Sequence, residues 1–465
     1  MVEFNLRDIL HATGARLLQG KREIRFSGIS TDSRTIKKGE LFIALKGPNF
    51  DGHNFIRESL RKGAQGAIVS EKIYLRENSE FPVVWAKDTL ASLRDIASFH
   101  RRRFNLPIVA ITGSNGKTTT KEMTSQVLSS SLVVLKTVSN HNNQIGVSLA
   151  LLGLDSSYNA AVVELGINHH GEMEVLRDIL EPDIAVFTNV GRTHLEFLGR
   201  PEDVLKAKLG LIKKFTRQSK VIINTDDALL RKSFLQTKKD FSVISFGIDA
   251  KADFWAKIHR IDSRGIDFEV NGVPFSLPVL GRYNVYNALA AVAVASLFNI
   301  TLGKASELLH NFHLPAMRMN VENCDDFILI DDSYNANPDS VRWAIETLAD
   351  FKARGRKILV LADMLELGKY SATYHLQIAG LLEKFKVDIL LTVGKHARKI
   401  SEKAAASKNV EIARHFSSNQ EAALFLDSIV ESGDAVLFKG SRAMRIENIL
   451  EYLRQCRLNK SVLAK

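Results

Sequence analysis

Short apolar runs, LFIAL at 41–45, GAIVS at 66–70 and PVVWA at 82–86, alternate with polar turns through the first 88 residues. A helix-like segment around Phe55 to Lys62 interrupts them, and the mixture predicts a small α/β domain. Thr89 to Arg103 then reads as a helix opening a second region. There AAVVELG (160–166), IAVFTNVG (184–191) and VIINTDD (221–227) are continuous apolar runs with helical stretches between them. Such runs suit strands buried on both faces, in a parallel sheet covered by helices. From about Pro315, FILIDDSYNANP (327–338), KILVLADMLELG (357–368), VDILLTVG (387–394) and DAVLFKGSR (434–442) pass from strand to loop. Each is followed by a helix-like segment such as Asp339 to Lys352. The pattern predicts an α/β protein of three domains, residues 1–88, 89–314 and 315–465. No repeat, low-complexity tract or long Pro/Gly linker separates them, so short hinges are expected.

One apolar run carries chemistry. PIVAITGSNGKTTTKE (107–122) is a buried strand that breaks into a glycine-bearing turn and then a helix. Backbone N–H groups from Gly113 through Ser114, Asn115, Gly116, Lys117, Thr118 and Thr119, with the positive end of the helix, suit an oligophosphate. Lys117 supplies a point charge for the β/γ-phosphates and Thr118 a hydroxyl for Mg²⁺. Ile111 stands where the common NTPase pattern has its first glycine, so the loop is a TGxxGKTTT variant. The plainer alternative, a glycine turn before a helix with a solvated lysine, leaves GKTTT unexplained. The central domain is thus expected to be a P-loop ATPase domain with a mostly parallel sheet, and the third a Rossmann-like α/β domain. Ligands of such sheets sit outside the carboxyl ends of the strands. Glu164, Asn189 and His194 follow strand ends and fall on the loop's edge. Glu164 and His194 there could hold a divalent metal, although an unpaired strand-end Glu is as readily a solvated one. STDSRT (30–35) and DGHNF (51–55) read on composition as turns.

Composition narrows the class. Hydrophobic content of 45% and charged content of 25% are those of an ordinary soluble globular protein. The 2 cysteines, Cys324 and Cys456, make no disulfide framework, which favours a reducing, cytoplasmic setting. The N-terminus scatters charges through its apolar residues, unlike a signal peptide. Ala288 to Phe298, the longest small-apolar run, falls short of the roughly 20 residues that span a bilayer and predicts a buried helix. The net charge of +11 is spread without a dense basic tract. It argues for anionic substrates and not for nucleic acid.

Eight motifs in order, TGSNGKTTTKE, SNHNNQIG (139–146), VVELGIN (162–168), NVGRTHLEFLG (189–199), GRYNVYNALAA (281–291), DDSYNANPDS (331–340), LADMLELG (361–368) and FKGSRAMRIE (438–447), cover most of the chain. The set resembles the Mur ligases of bacterial cell-wall synthesis. Their three domains take UDP-sugar peptide, ATP and the incoming amino acid in chain order. DSYNANP, DMLELG and KGSR resemble the branch that adds D-alanyl-D-alanine to UDP-N-acetylmuramoyl-tripeptide. Tyr283 stands where that family usually has His, His141 interrupts the Asn cluster, Ala362 replaces Gly and Gly210 replaces an acidic residue. Folylpolyglutamate synthetases share the ATP domain but lack the extra N-terminal domain and DSYNANP. A P-loop switch protein would have no use for the third domain.

The resemblance implies an amide-forming ligase, acting as a monomer with ATP and two Mg²⁺ through an acyl phosphate. It implies catalytic roles for Lys117, Glu164, His194, Lys208 and Arg318, the last as a clamp on transferring phosphate. Asn287 would lie near adenine, Asp32 and Arg34 in the UDP region, and Asn140, Asn143, Asn335 and Asn337 beside substrate. Thr118, Glu164, His194 and Lys208 would be the metal ligands, Lys208 as a carbamate. Helix geometry bears on Lys208 independently. On a helix from Glu202 to Lys214 it faces inward with Val204, Leu205, Leu209, Leu211 and Ile212, while Lys206 and Lys213 point away. An inward ammonium is costly unless paired or altered, and a snorkelling or paired lysine remains the alternative on geometry alone.

Overall fold

The computed structural model describes residues 3–75, 80–138, 140–235, 240–324 and 326–463; Ser139 of the Asn-rich motif lies outside them. Three main sheets of five, nine and six strands follow one another along the chain.

The first sheet runs Arg16–Gln19, Val83–Trp85, Gly66–Val69, Glu40–Ile43, Gly28–Ser30, parallel except at the Arg16–Gln19 edge. The predicted apolar runs are its inner strands, with Leu41, Ile43, Ile68 and Val84 in the core. Helix Leu6–Thr13, capped by Asn5 and ended by Gly14, packs beside them. Asp88 accepts from the N–H groups of Leu90 and Ala91 and so starts helix Thr89–Arg101.

In the central sheet the order is Val134–Lys136, Ala160–Glu164, Ile108–Thr112, Ile184–Phe187, Lys220–Asn224, Ser242–Gly247, then Phe254–Asp262, Gly265–Val270 and Val273–Leu277. Strand order reverses around Ile108–Thr112, which lies between Ala160–Glu164 and Ile184–Phe187. That reversal opens the crevice expected at a switch point, at the carboxyl end carrying the glycine loop. The last three strands form an antiparallel meander that the pattern did not predict. Ala288 to Ala295 are all buried within helix Tyr283–Ser296, as expected for that run. No helix among the described residues is long and apolar enough to cross a membrane.

The third sheet runs Asn320–Cys324, Phe327–Asp331, Ala435–Lys439, Lys357–Ala362, Ile389–Val393, Ile412–Phe416, antiparallel only at its first pair. One expectation needs correcting. The segment 202–214 is not a single helix: helix Pro201–Lys208 passes into a 3-10 turn, Leu209–Ile212. The Gly210 carbonyl there accepts from Arg177 Nη1 at 3.0 Å, and a Cβ at this position would lie 2.6 Å from the Glu174 carboxylate. Lys208 nevertheless faces inward, because it lies on the regular part.

Candidate active site

A cleft of about 1290 Å³ opens at the carboxyl edge of the central sheet, with the third domain forming its opposite wall. The glycine loop is its floor, shaped by two close approaches. Gly113 has φ +155, and a Cβ there would lie 1.9 Å from Thr188 Oγ1. Gly116, at φ +81, leaves 2.3 Å between such a Cβ and Asn287 Oδ1. Ser114 N donates to Asn189 O (3.0 Å) and Asn115 N to Asn189 Oδ1 (2.9 Å), which fixes the loop to the next strand end. Helix Lys117–Leu128 starts at Gly116 without a side-chain cap, so its first N–H groups are presented to the cleft.

Two amines converge on one carbonyl. Lys117 Nζ donates to Gly113 O at 3.1 Å and Lys208 Nζ to the same oxygen at 3.0 Å. Lys117 is not the surface charge its position in a turn suggests. It is half-buried in the cleft floor, and desolvation holds its pKa below the usual lysine value, against the pull of Glu164. Lys208 is 2% exposed, and burial, helped by the Lys117 charge, pushes its pKa far down. Among the described residues no carboxylate pairs with it. Glu164, also 2% exposed, ends its strand with Oε1 accepting from Asn142 Nδ2 (2.8 Å). Its Oε2 is buried with no hydrogen-bond partner. A buried carboxylate oxygen without a donor, beside a phosphate loop and an unpaired inward amine, fits a hard divalent cation. Thr118 lines the same floor.

The other predicted residues divide by place. His194 follows strand Ile184–Phe187, takes a left-handed backbone (φ 55) and meets Glu366 Oε2 of the third domain through Nδ1 at 2.5 Å. That hydrogen bond holds the Glu366 carboxyl below its usual range. The Arg318 guanidinium lies 3.7 Å from the Tyr334 ring centroid, and Asn140 bonds the Tyr334 phenol. The Asn143 side-chain oxygen caps helix Gln144–Leu151. Asn337 caps helix Pro338–Asp350, and its Nδ2 reaches Asn115 Oδ1 of the phosphate loop at 2.7 Å. Asn335 O accepts from Lys439 Nζ (3.1 Å). Asn287 is buried beneath the loop, accepting from Thr120 and donating to Asn284. Asp32 and Arg34 are not brought to the cleft. They pair with each other at 2.7 Å in the first domain, where the guanidinium holds the Asp32 carboxyl down at about 2.

Several cleft residues were not singled out from sequence. Lys439 Nζ donates to Asp332 Oδ2 at 2.5 Å in a buried pair. Trp343 stacks across the domains on Tyr283, the residue noted above in place of the family's His, with centroids 5.5 Å apart and planes 20° from parallel. Asp332, Lys439 and Glu366 each lie inside a motif quoted above, and that was their only signal.

Loop, inward lysines and buried carboxylate define a nucleotide-using enzyme whose reaction chamber closes between two α/β domains. Known proteins narrow the class. Residues 25–101 match the family model "Mur ligase family, catalytic domain", 111–295 the "Mur ligase middle domain" and 317–442 the "Mur ligase, glutamate ligase domain". The UDP-N-acetylmuramoyl-tripeptide–D-alanyl-D-alanine ligase of Bacillus subtilis is 33% identical over 92% of this chain and 93% of its own length. Crystal structures of MurF from Acinetobacter baumannii (TM-score 0.88, 30% identity, 98% of this chain and 99% of that one) and from Thermotoga maritima in complex with ADP (TM-score 0.81, 28% identity, 93% and 98%) share the fold. The chain belongs to the Mur ligase family.

Proposed function

We propose that this chain is an ATP-dependent ligase that joins D-alanyl-D-alanine to UDP-N-acetylmuramoyl-tripeptide, yielding the pentapeptide precursor of peptidoglycan, ADP and phosphate. Residues 1–88 take the UDP-sugar peptide, with Arg34 and Asp32 toward the diphosphate. Residues 89–314 take ATP, and 315–465 the incoming dipeptide. Full-length similarity to relatives bearing that name supports the reading. The observation that carries it is the cleft itself, where Lys117, Glu164 and the third domain's Lys439 line one polar chamber, with Lys208 buried behind the loop on Gly113 O.

The chemistry follows from charge. A peptide carboxylate must approach the γ-phosphate of ATP, anion on anion. Lys117 and the loop N–H groups stabilise the charge that builds on the transferring phosphoryl group, and Arg318 clamps it. Thr118, Glu164, His194 and carbamylated Lys208 would hold two Mg²⁺, which when bound neutralise phosphate oxygens. The carboxylate oxygen bonds to phosphorus as the bond to ADP breaks. The dipeptide amine then attacks the acyl carbon, the C–O bond breaks and phosphate leaves. A free α-amino group of pKa about 7.7–8.0 is roughly a tenth neutral at pH 7, so ordinary proton acceptors suffice. Asn335 and Asn337 sit where the third domain meets the loop and position the dipeptide; Asn140 and Asn143 face the peptide, and Asn287 supports the adenine side. On this reading the enzyme acts as a monomer in the cytoplasm.

The test offers purified protein ATP, Mg²⁺, D-alanyl-D-alanine and UDP-tripeptides carrying lysine or meso-diaminopimelate. A pentapeptide mass with either acceptor supports the proposal. ATP turnover with no pentapeptide from either would overturn it.

A further inference from the structure

His194 and Glu366, 172 residues apart, meet at 2.5 Å across the two domains, and both hold left-handed backbones, at φ 55 and φ 61. Non-glycine residues keep that conformation only where surrounding contacts enforce it, which makes the pair a place to look for function. Glu366 makes a second bond into the same turn, its carbonyl accepting from Glu196 N at 3.0 Å. Its loop is braced from behind. Leu365 N donates to Ser441 Oγ (2.8 Å) and Met364 N to His375 Nε2 (3.1 Å), while Met364 and Leu367 are each 1% exposed. Gly368, at φ +53, lets the loop pass close to Glu196, where a Cβ would meet the Glu196 Cα at 3.1 Å. The carboxylate is therefore presented by a rigid platform.

A carboxylate only accepts hydrogen bonds, so Nδ1 of His194 is the donor to Glu366, and the tautomer this bond selects leaves Nε2 as the ring's ligating nitrogen. Thr193, the preceding residue, bonds Ser114 Oγ of the phosphate loop at 3.1 Å, which holds the imidazole beside that loop. Histidines that ligate metals commonly donate their other N–H to a carboxylate, which sets tautomer and ring angle. Here that carboxylate belongs to another domain.

We propose that Glu366 is a positioning residue: by accepting the hydrogen bond from His194 Nδ1–H only when the third domain is docked, it makes the His194 metal position complete in the closed molecule and incomplete in the open one. The proposal rests on the reading of His194 as a metal ligand. Metal binding and domain docking are then one event, so chemistry is confined to the closed cleft.

Mn²⁺ serves as the probe, counted by electron paramagnetic resonance with full-length protein, a non-hydrolysable ATP analogue and UDP-tripeptide. Wild type should bind two ions. E366A should bind one normally and the second about 10–100-fold more weakly, with affinity for the ATP analogue unchanged. E366Q, whose amide oxygen can still accept from Nδ1, should lie near wild type. Matching thermal midpoints for the three proteins keep a folding defect apart. Two ions held by E366A as tightly as by wild type would overturn the proposal, as would equal losses in E366A and E366Q. Wild type binding fewer than two ions would instead overturn the underlying assignment of His194.

Discussion

Replacing Lys208 with methionine separates two accounts of a buried amine. Lys208 is 2% exposed, and among the described residues its one hydrogen-bond partner is Gly113 O at 3.0 Å. As a plain ammonium it would carry an effective desolvation penalty of several kcal/mol with no counter-ion. As a carbamate it is an anion whose oxygens suit a hard cation beside the orphaned Glu164 Oε2. Methionine keeps most of the volume and removes the amine. Gly113 O is not stranded, because Lys117 Nζ still donates to it at 3.1 Å. Stability without ligands should therefore hold or rise, by up to about 1–4 kcal/mol if the charge was uncompensated. Ligation should fall by about 10²–10³, the loss of one electrostatic group worth roughly 3–4 kcal/mol. Urea denaturation gives the first quantity and ADP release coupled to pentapeptide mass the second. In Lys208→Ala, acetate or propionate should restore part of the activity by occupying the space left, and wild type should lose activity when bicarbonate is depleted. A methionine variant within tenfold of wild-type activity would refute the reasoning.

Lys117→Ala should leave the fold intact and lower kcat about 10²–10³-fold; activity within tenfold of wild type, measured with a circular dichroism control, would sink the phosphate role. The third domain is docked through Asn337 on Asn115 and Asp339 on Arg192 N (2.9 Å) and Nη1 (3.2 Å). Asp339→Ala should weaken that docking by about 1 kcal/mol, as for a rim pair, and enlarge the ligand-free protein in small-angle scattering. Substrates should reverse the change, and profiles identical to wild type would count against closure. His100 donates Nε2–H to Leu154 O (2.9 Å) and His375 Nε2 accepts from Met364 N (3.1 Å), and burial holds both pKa values below 6.5. The unfolded chain then binds more protons below about pH 6.5. Stability should be fully present above that pH and fall as pH drops toward the folded-state pKa values, and denaturation midpoints unchanged from pH 7 to 5 would contradict it.

Some of this was legible because strong local signals coincided. Ile108–Thr112, Ala160–Glu164 and Ile184–Phe187 are apolar on both faces, so their runs are unbroken, and GKTTT follows the first of them. Phe254–Asp262 escaped because its positions alternate between half-buried and exposed, with only Ala256 fully buried, and carry Lys257, His259 and Arg260, which reads as a polar stretch. Val134–Lys136 is too short to show a period. The predicted helix stops at Lys208 and a 3-10 turn follows, in which Gly210 O accepts from Arg177, a contact that no local pattern announces. The site divides in the same way. Residues on the loop and at strand ends followed from topology, whereas Glu366 against His194 and Trp343 against Tyr283 depend on how two domains dock.

Docking also explains what the charge surplus does. Lys117, Arg318 and Lys439 line one cleft, and among the described residues only Lys439 of the three has a carboxylate partner within hydrogen-bond distance, Asp332. Burial lowers the pKa values of Lys117 and Lys439, so their desolvation is met during folding and not when substrate arrives. An entering triphosphate finds donors already oriented, and the field acts most strongly once the third domain excludes water. On this reasoning the +11 net charge of the chain bears on catalysis chiefly through the few cations held in the cleft, and neutralising scattered surface lysines should leave ligation nearly unchanged.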